Sequence, residues 1–132
     1  MTIQHINPTG MYVSPVFSQG IILPANARIL LIGGQNAVDA NGQIVGKGDV
    51  ALQSEKAIDN MLKVLEAAGG SLENLVKTTI MLQADADLAA AFPAWAKVWG
   101  NRPNPPTVTG MKVAGLANPD FLIEIEAMAV LP

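Results

Sequence analysis

The stretch Phe121-Leu122-Ile123-Glu124-Ile125-Glu126-Ala127-Met128-Ala129-Val130 alternates with a period of two, which predicts a β-strand carrying Glu124 and Glu126 on one face. Its other face, from Phe121 through Ile123, Ile125 and Ala127 to Ala129, is wholly apolar and has to be covered by another layer. Two carboxylates side by side suit work on water or a proton when their own face is also covered. They are an ordinary solvated surface when it is not. The strand alone leaves both readings open.

Working back from this strand gives an α+β order. The proline-rich run at 101–106 cannot be helical and feeds a penultimate strand over 107–114, followed by the last one over 121–131. Before it, Leu88, Ala91, Phe92, Trp95 and Trp99 share one stripe of a helix that Pro93 should kink, and residues 75–82 form a β-rich run. An earlier helix begins at Asp49, buries Ile58, Met61, Leu62 and Leu65 at helical spacing, and stops at Gly69-Gly70. Residues 16–23 and 27–32 read as two strands joined through Pro24-Ala25-Asn26 into a hairpin. The expected order is ββαβαββ in a single domain over residues 1–132, a mixed sheet with both helices packed on one face.

Composition narrows the chemistry. Charged residues make up 14% of the 132-residue chain, against about 25% in ordinary soluble domains. One copy therefore has too few charges to coat its surface, and part of its apolar surface is expected to meet another subunit. No apolar run approaches the length of a membrane span and no signal segment is evident, so a soluble, cytoplasmic protein without membrane contact is expected. With no cysteine and a single histidine, His5, one chain cannot build a thiolate nucleophile, a Cys-ligated zinc site, a two-histidine metal site or a histidine-based triad. The only arginines are Arg28 and Arg102 and the formal net charge is −3, which leaves no basic surface for nucleic acid.

A set of short motifs then stands out in order: Phe17-Ser18-Gln19-Gly20, Gly33-Gly34-Gln35, Gly42-Gln43-Ile44-Val45-Gly46, Gln53, Asn60, Leu65-Glu66-Ala67-Ala68-Gly69, Lys77-Thr78-Thr79 and Ile123-Glu124-Ile125-Glu126-Ala127. Taken together they resemble the Rid proteins, the reactive intermediate deaminase or YjgF family, over nearly the whole chain. The resemblance implies a chorismate-mutase-like α+β fold and a homotrimer with a small-molecule cleft between neighbouring subunits. It also implies hydrolysis of 2-imino acids or their enamine tautomers to 2-keto acids and ammonia, without cofactor or metal.

Carried over residue by residue, the resemblance places Glu124 at the water-associated glutamate and Gly34 where backbone lies against the ligand; Ser18 follows in the same motif as Phe17. The chain departs from the pattern elsewhere. Deaminase-type members have an arginine after the proline that opens the penultimate strand, whereas this chain reads Pro106-Thr107-Val108-Thr109-Gly110. Aligned on Val113-Ala114, Val108 takes the arginine position and Gly110 that of the following cysteine or threonine. Phe17 stands for a tyrosine and Phe92 for an asparagine. The carboxylate clamp is missing, and Arg102 and Lys112 are the cations that would have to replace it. Three readings stay open: a divergent imine or enamine hydrolase, a metabolite-binding trimer with an apolar cleft, and a structural trimer. Ribonuclease chemistry is disfavoured by the single histidine and the negative charge.

Overall fold

The computed structural model describes residues 2–132 and divides them into a four-stranded sheet, two helices and a two-stranded N-terminal ribbon. Strand β1 (Gln4–Ile6) pairs antiparallel with β2 (Gly20–Ile22) to make the ribbon. The main sheet joins β3 (Arg28–Gln35), β4 (Leu75–Gln83), β5 (Thr107–Val113) and β6 (Ile123–Leu131) in the order β3-β6-β4-β5. Strand β6 runs antiparallel to both neighbours, and β4 and β5 run parallel, so the sheet is mixed. Helices α1 (Val50–Ala67) and α2 (Leu88–Trp99) cover one face, giving the α+β mixed sheet with both helices on one side that the sequence leads one to expect.

The alternation in β6 sets this layering. Ile123, Ile125, Ala127 and Ala129 are buried beneath the helices, together with Met61 and Leu65 of α1 and Trp95 and Trp99 of α2. Each fully buried Ile, Leu or Met side chain among these contributes about 1.5–3 kcal/mol. Glu126 on the opposite face is exposed and Glu124 is half-buried. Asp49 caps α1 by accepting a hydrogen bond from the Leu52 amide at 3.1 Å.

At the far end of α1, the Gly69 amide donates to the Glu66 carbonyl and the Gly70 amide to the Leu65 carbonyl, both at 2.9 Å. Gly69 at φ +86° provides the left-handed turn that this double bond requires, and a Cβ on Gly70 would lie 2.7 Å from Leu65 Cδ1. The Gly69-Gly70 stop is thus a turn and a packing requirement in one. Helix α2 runs unbroken through Pro93, which sits on the exposed side and forgoes only a bond to the Ala89 carbonyl in the first turn.

The N-terminal third differs from the sequence reading. The expected hairpin between residues 16–23 and 27–32 does not form: Gly20–Ile22 pairs instead with Gln4–Ile6, a strand of three residues too short to show periodicity. The amides of Val16, Ser18 and Gln19 are taken by partners outside any hairpin ladder. Val16 donates to the Ser14 hydroxyl, Ser18 to the Pro106 carbonyl and Gln19 to the Asn7 side chain. Pro24, without an N–H, also removes a donor beside the turn that the hairpin would have used. Strand β3 instead spends its hydrogen bonds on β6, with a bulge between Ile32 and Gln35 at Gly33-Gly34.

Candidate functional site

A cavity of about 250 Å³ opens on the helix side of the sheet, between α2, strands β4 and β5 and the segment that precedes β2. Phe17, Phe92 and Val108, the three residues that stand where polar family positions were expected, all line it. Its base is Ile80 and Leu82 of β4 with Ile58, Ala91 and Trp95 of the helices. Leu88 and Phe92 belong to the α2 stripe but are 57% and 49% exposed, so the edge of that stripe forms cavity wall, not core. Among the described residues Tyr12 and Ser14 bring the only side-chain hydroxyls to the lining, and no charged side chain lines it. The Tyr12 ring leans on Phe17 with centroids 6.2 Å apart. The Trp95 indole N–H is turned to the Val16 carbonyl at 3.4 Å. Tyr12 and Ser14 were not legible as site residues, because they lie in a loop without hydrophobic periodicity.

Glu124 is elsewhere. Val108 is paired with Thr78, and Thr78 with Ala127, so these three share the face beneath the helices, where Thr78 and Ala127 are buried. Glu124 is paired with Met81, three residues on from Thr78, and period-two alternation puts both on the open face. There its carboxylate lies across the Gly33-Gly34 bulge: a Cβ on Gly34 would come within 2.7 Å of Glu124 Oε2. Glycine at position 34 is what allows the carboxylate to lie against the backbone. One chain therefore brings together Phe17, Phe92 and Val108 on one side of the sheet, and Gly34 and Glu124 on the other.

Ser18 and Gly110 join neither group. Ser18 is 2% exposed, its hydroxyl donates to the Pro105 carbonyl, and His5 Nδ1 lies 2.9 Å from Ser18 Oγ. It latches the ribbon to the proline-rich loop. Burial holds the His5 pKa below the ordinary histidine value, partly offset by the Pro105 carbonyl. Gly110 is exposed on β5, with open space where a side chain would stand.

The two cations that would have to replace the clamp are engaged outside the cavity. Arg102 donates to Glu73 and to the Val98 and Trp99 carbonyls beyond the end of α2. Lys112 donates to the carbonyls of Ala84 and Ala86 ahead of α2. Gln53 and Asn60, prominent in the motif set, are structural ties. Gln53 holds Gly46, Asp120 and Leu122 together, and Asn60 donates to the carbonyls of Asn36 and Val38. Among the described residues no three acidic or histidine side chains converge as a metal site needs.

Residues 3–131 match the sequence profile of the endoribonuclease L-PSP family. The chain belongs to this Rid/YjgF family. A RutC family protein of Synechocystis sp. is 33% identical over 132 residues, spanning 99% of this chain and 94% of that relative. Human 2-iminobutanoate/2-iminopropanoate deaminase is 33% identical over 115 residues, spanning 86% of this chain and 79% of the human protein. Among solved structures, a Rid family protein of unknown function from Yersinia pestis superposes with a TM-score of 0.85 at 34% identity, covering 99% of this chain and 100% of that one. Some Rid relatives are thus named as imine deaminases, and others have no assigned activity. Among the described residues no helix is long and apolar enough to cross a membrane.

Proposed function

We propose that this Rid protein is a cofactor-independent hydrolase of imines or enamines whose site is completed between copies of the chain in a homotrimer. The observation that carries the reading is the division of the site residues between the two faces of one sheet. A second copy laid with its Glu124 face toward the β5 edge and the cavity mouth would join an apolar holding wall to a carboxylate and a glycine backbone. Glu124 would then hold a water against the imine carbon and take its proton as the carbon–oxygen bond forms. Phe17, Phe92 and Val108 would hold the hydrocarbon part of the substrate. The human relative named as a deaminase supports the reaction class, and the low charge content together with the exposed Ile29 and Leu31 on β3 supports assembly.

The family's ribonuclease label gains no support from this surface, since Arg102 is paired with Glu73 and the formal net charge is −3. A second reading, a binding module that does not turn its ligand over, is favoured by one specific feature: among the described residues the cavity offers only two hydroxyls to a reacting centre. Subunit mixing tests both. Glu124→Gln and Ala91→Trp, which fills the cavity, should each abolish turnover alone, and co-refolding them in equal amounts should restore about a quarter of the wild-type sites if the halves come from different copies. No restoration, or a monomer in sedimentation equilibrium, would refute the inter-subunit site. Ligand binding without any turnover by the wild-type protein would leave the binding module.

A further inference from the structure

The cavity also specifies what kind of molecule enters it, and this deepens the hydrolase reading on which it rests. We propose that the ligand of this protein is uncharged where a 2-imino acid carries its carboxylate: a small imine or enamine with a hydrocarbon flank and no acid group. Three observations carry this. Among the described residues the lining holds no cation, and its side-chain hydroxyls are those of Tyr12 and Ser14 alone. Of the cations on neighbouring elements, Lys112 is held by the carbonyls of Ala84 and Ala86 and Arg102 by Glu73 and the end of α2, while Lys77 lies with Thr79 and Glu126 on the opposite face and Lys97 in the groove between α1 and α2. The walls at the mouth are the exposed hydrocarbon faces of Leu88 and Phe92, so an anion would lose water on entry and gain no cation in return, only the neutral hydroxyls of Tyr12 and Ser14. The volume of about 250 Å³ lies below the ~300–1,000 Å³ of pockets that take drug-sized molecules, so the ligand is small.

This chemistry fixes a place in a reaction sequence. An imine without an adjacent carboxylate arises when a primary amine loses two electrons and two protons, so the supplying reaction is an amine oxidation, not the oxidation or dehydration of an amino acid. In the step carried out here, one imine and one water give one carbonyl compound and one ammonia. The water oxygen bonds to the imine carbon and becomes the carbonyl oxygen. The carbon–nitrogen bond breaks, and the nitrogen leaves as ammonia with its own proton and the two that water supplied. No oxidant or reductant is consumed. The product is an aldehyde or ketone that an oxidoreductase acting on carbonyls would take up.

A pair of ligands with one body tests the class. 4-Methyl-2-pentanone and 4-methyl-2-oxopentanoate differ only in a methyl group against a carboxylate, and Trp95 lines the cavity, so its fluorescence reports entry. Titrated into the full-length protein, the ketone should bind at least about tenfold more tightly than the keto acid, a preference of ~1.4 kcal/mol. Ala91→Trp should remove that binding. In a parallel assay, the imine released from 3-methylbutylamine by a flavin-dependent amine oxidase should be hydrolysed faster than the imine released from leucine by an amino acid oxidase. Equal or tighter binding of the keto acid, or no binding of either compound, overturns the ligand class. Selective binding of the ketone with no turnover of either imine upholds the class and overturns the hydrolase reading, so the two failures are distinct.

Discussion

The two faces of the main sheet do different work with the same backbone. Beneath the helices, Thr78, Ala127 and Val108 lie on neighbouring strands in a layer that is tightly buried at its centre and opens at the β5 edge into an apolar cavity. On the other face, Glu124 and Glu126 sit opposite Met81 and Thr79, and a carboxylate lies against the glycine bulge of β3. The cavity on one face can hold a hydrocarbon and, among the described residues, has no charged side chain in its lining. The other supplies a carboxylate on an open surface. Because alternation in a strand is strict, no adjustment of rotamers within one chain moves Glu124 to the cavity side. The separation of Val108 from Glu124 follows from the pleat of β6, and the proposed completion of the site by a second copy rests on that separation.

The largest effect should come from the helix side. Trp95 is 5% exposed, stacks on Trp99 with centroids 5.7 Å apart, and forms part of the cavity base. Trp95→Ala should cost about 3–5 kcal/mol in urea unfolding. Met128→Ala, on the open face opposite Leu31, should cost the isolated subunit far less and act on assembly instead. Comparable losses for both would mean that the open face is as tightly packed within one subunit as the covered one.

Next in size is the consequence of Val108. Hydrolysis of 2-iminobutanoate should run at least about a hundredfold more slowly than in arginine-bearing relatives, the factor for losing ~2.7 kcal/mol of charge-assisted hydrogen bonding. Val108→Arg should raise that rate, and Val108→Arg with Phe17→Tyr should raise it further by giving the guanidinium a hydroxyl partner. Family-like turnover by the unmodified protein would show that a carboxylate is held without a cation in the cavity.

Gly34→Ala probes the opposite face. Its Cβ would stand 2.7 Å from Glu124 Oε2, so the carboxylate must move. Turnover should fall about tenfold, equivalent to ~1.4 kcal/mol, while ligand binding measured through Trp95 stays unchanged. Loss of binding as well would mean that the two faces are not independent.

Much of this division was legible in the sequence, for a physical reason. The apolar stripe of α1, its Asp49 cap and its Gly69-Gly70 stop are local signals, as is the alternation that sets Glu124 and Glu126 on one face. The apolar character of positions 17, 92 and 108 was legible too, because the family motif fixes their places. Their separation from Glu124 was not, since it depends on the parallel register of β4 with β5, which pairs Thr78 with Val108 across a helix and a long loop. The N-terminal ribbon escaped for the opposite reason. Its three-residue strands carry no period, and their hydrogen bonds are decided by partners as distant as Pro106.

The smallest effect should be a pH dependence carried by the latch between the ribbon and the proline-rich loop. Ser18 gives its one hydroxyl proton to the Pro105 carbonyl, so His5 Nδ1 must donate to Ser18 Oγ, 2.9 Å away. Burial disfavours the charged imidazolium and lowers the His5 pKa in the folded protein below its ordinary value. The unfolded chain therefore binds the proton more readily, and stability rises with pH across this titration. The contribution is complete above the unfolded value of about 6.5 and is lost as pH falls below it toward the folded value. Urea midpoints measured at pH 7.5 and pH 5.5 should differ in that direction, and His5→Asn should flatten the difference while carboxylates remain ionised across the window. Phe17 adjoins Ser18, so loosening this latch should also weaken ketone binding at the lower pH in the wild-type protein but not in the variant. An unchanged pH slope in His5→Asn would remove His5 from the account and leave Ser18 and the Pro105 carbonyl as the whole of the latch.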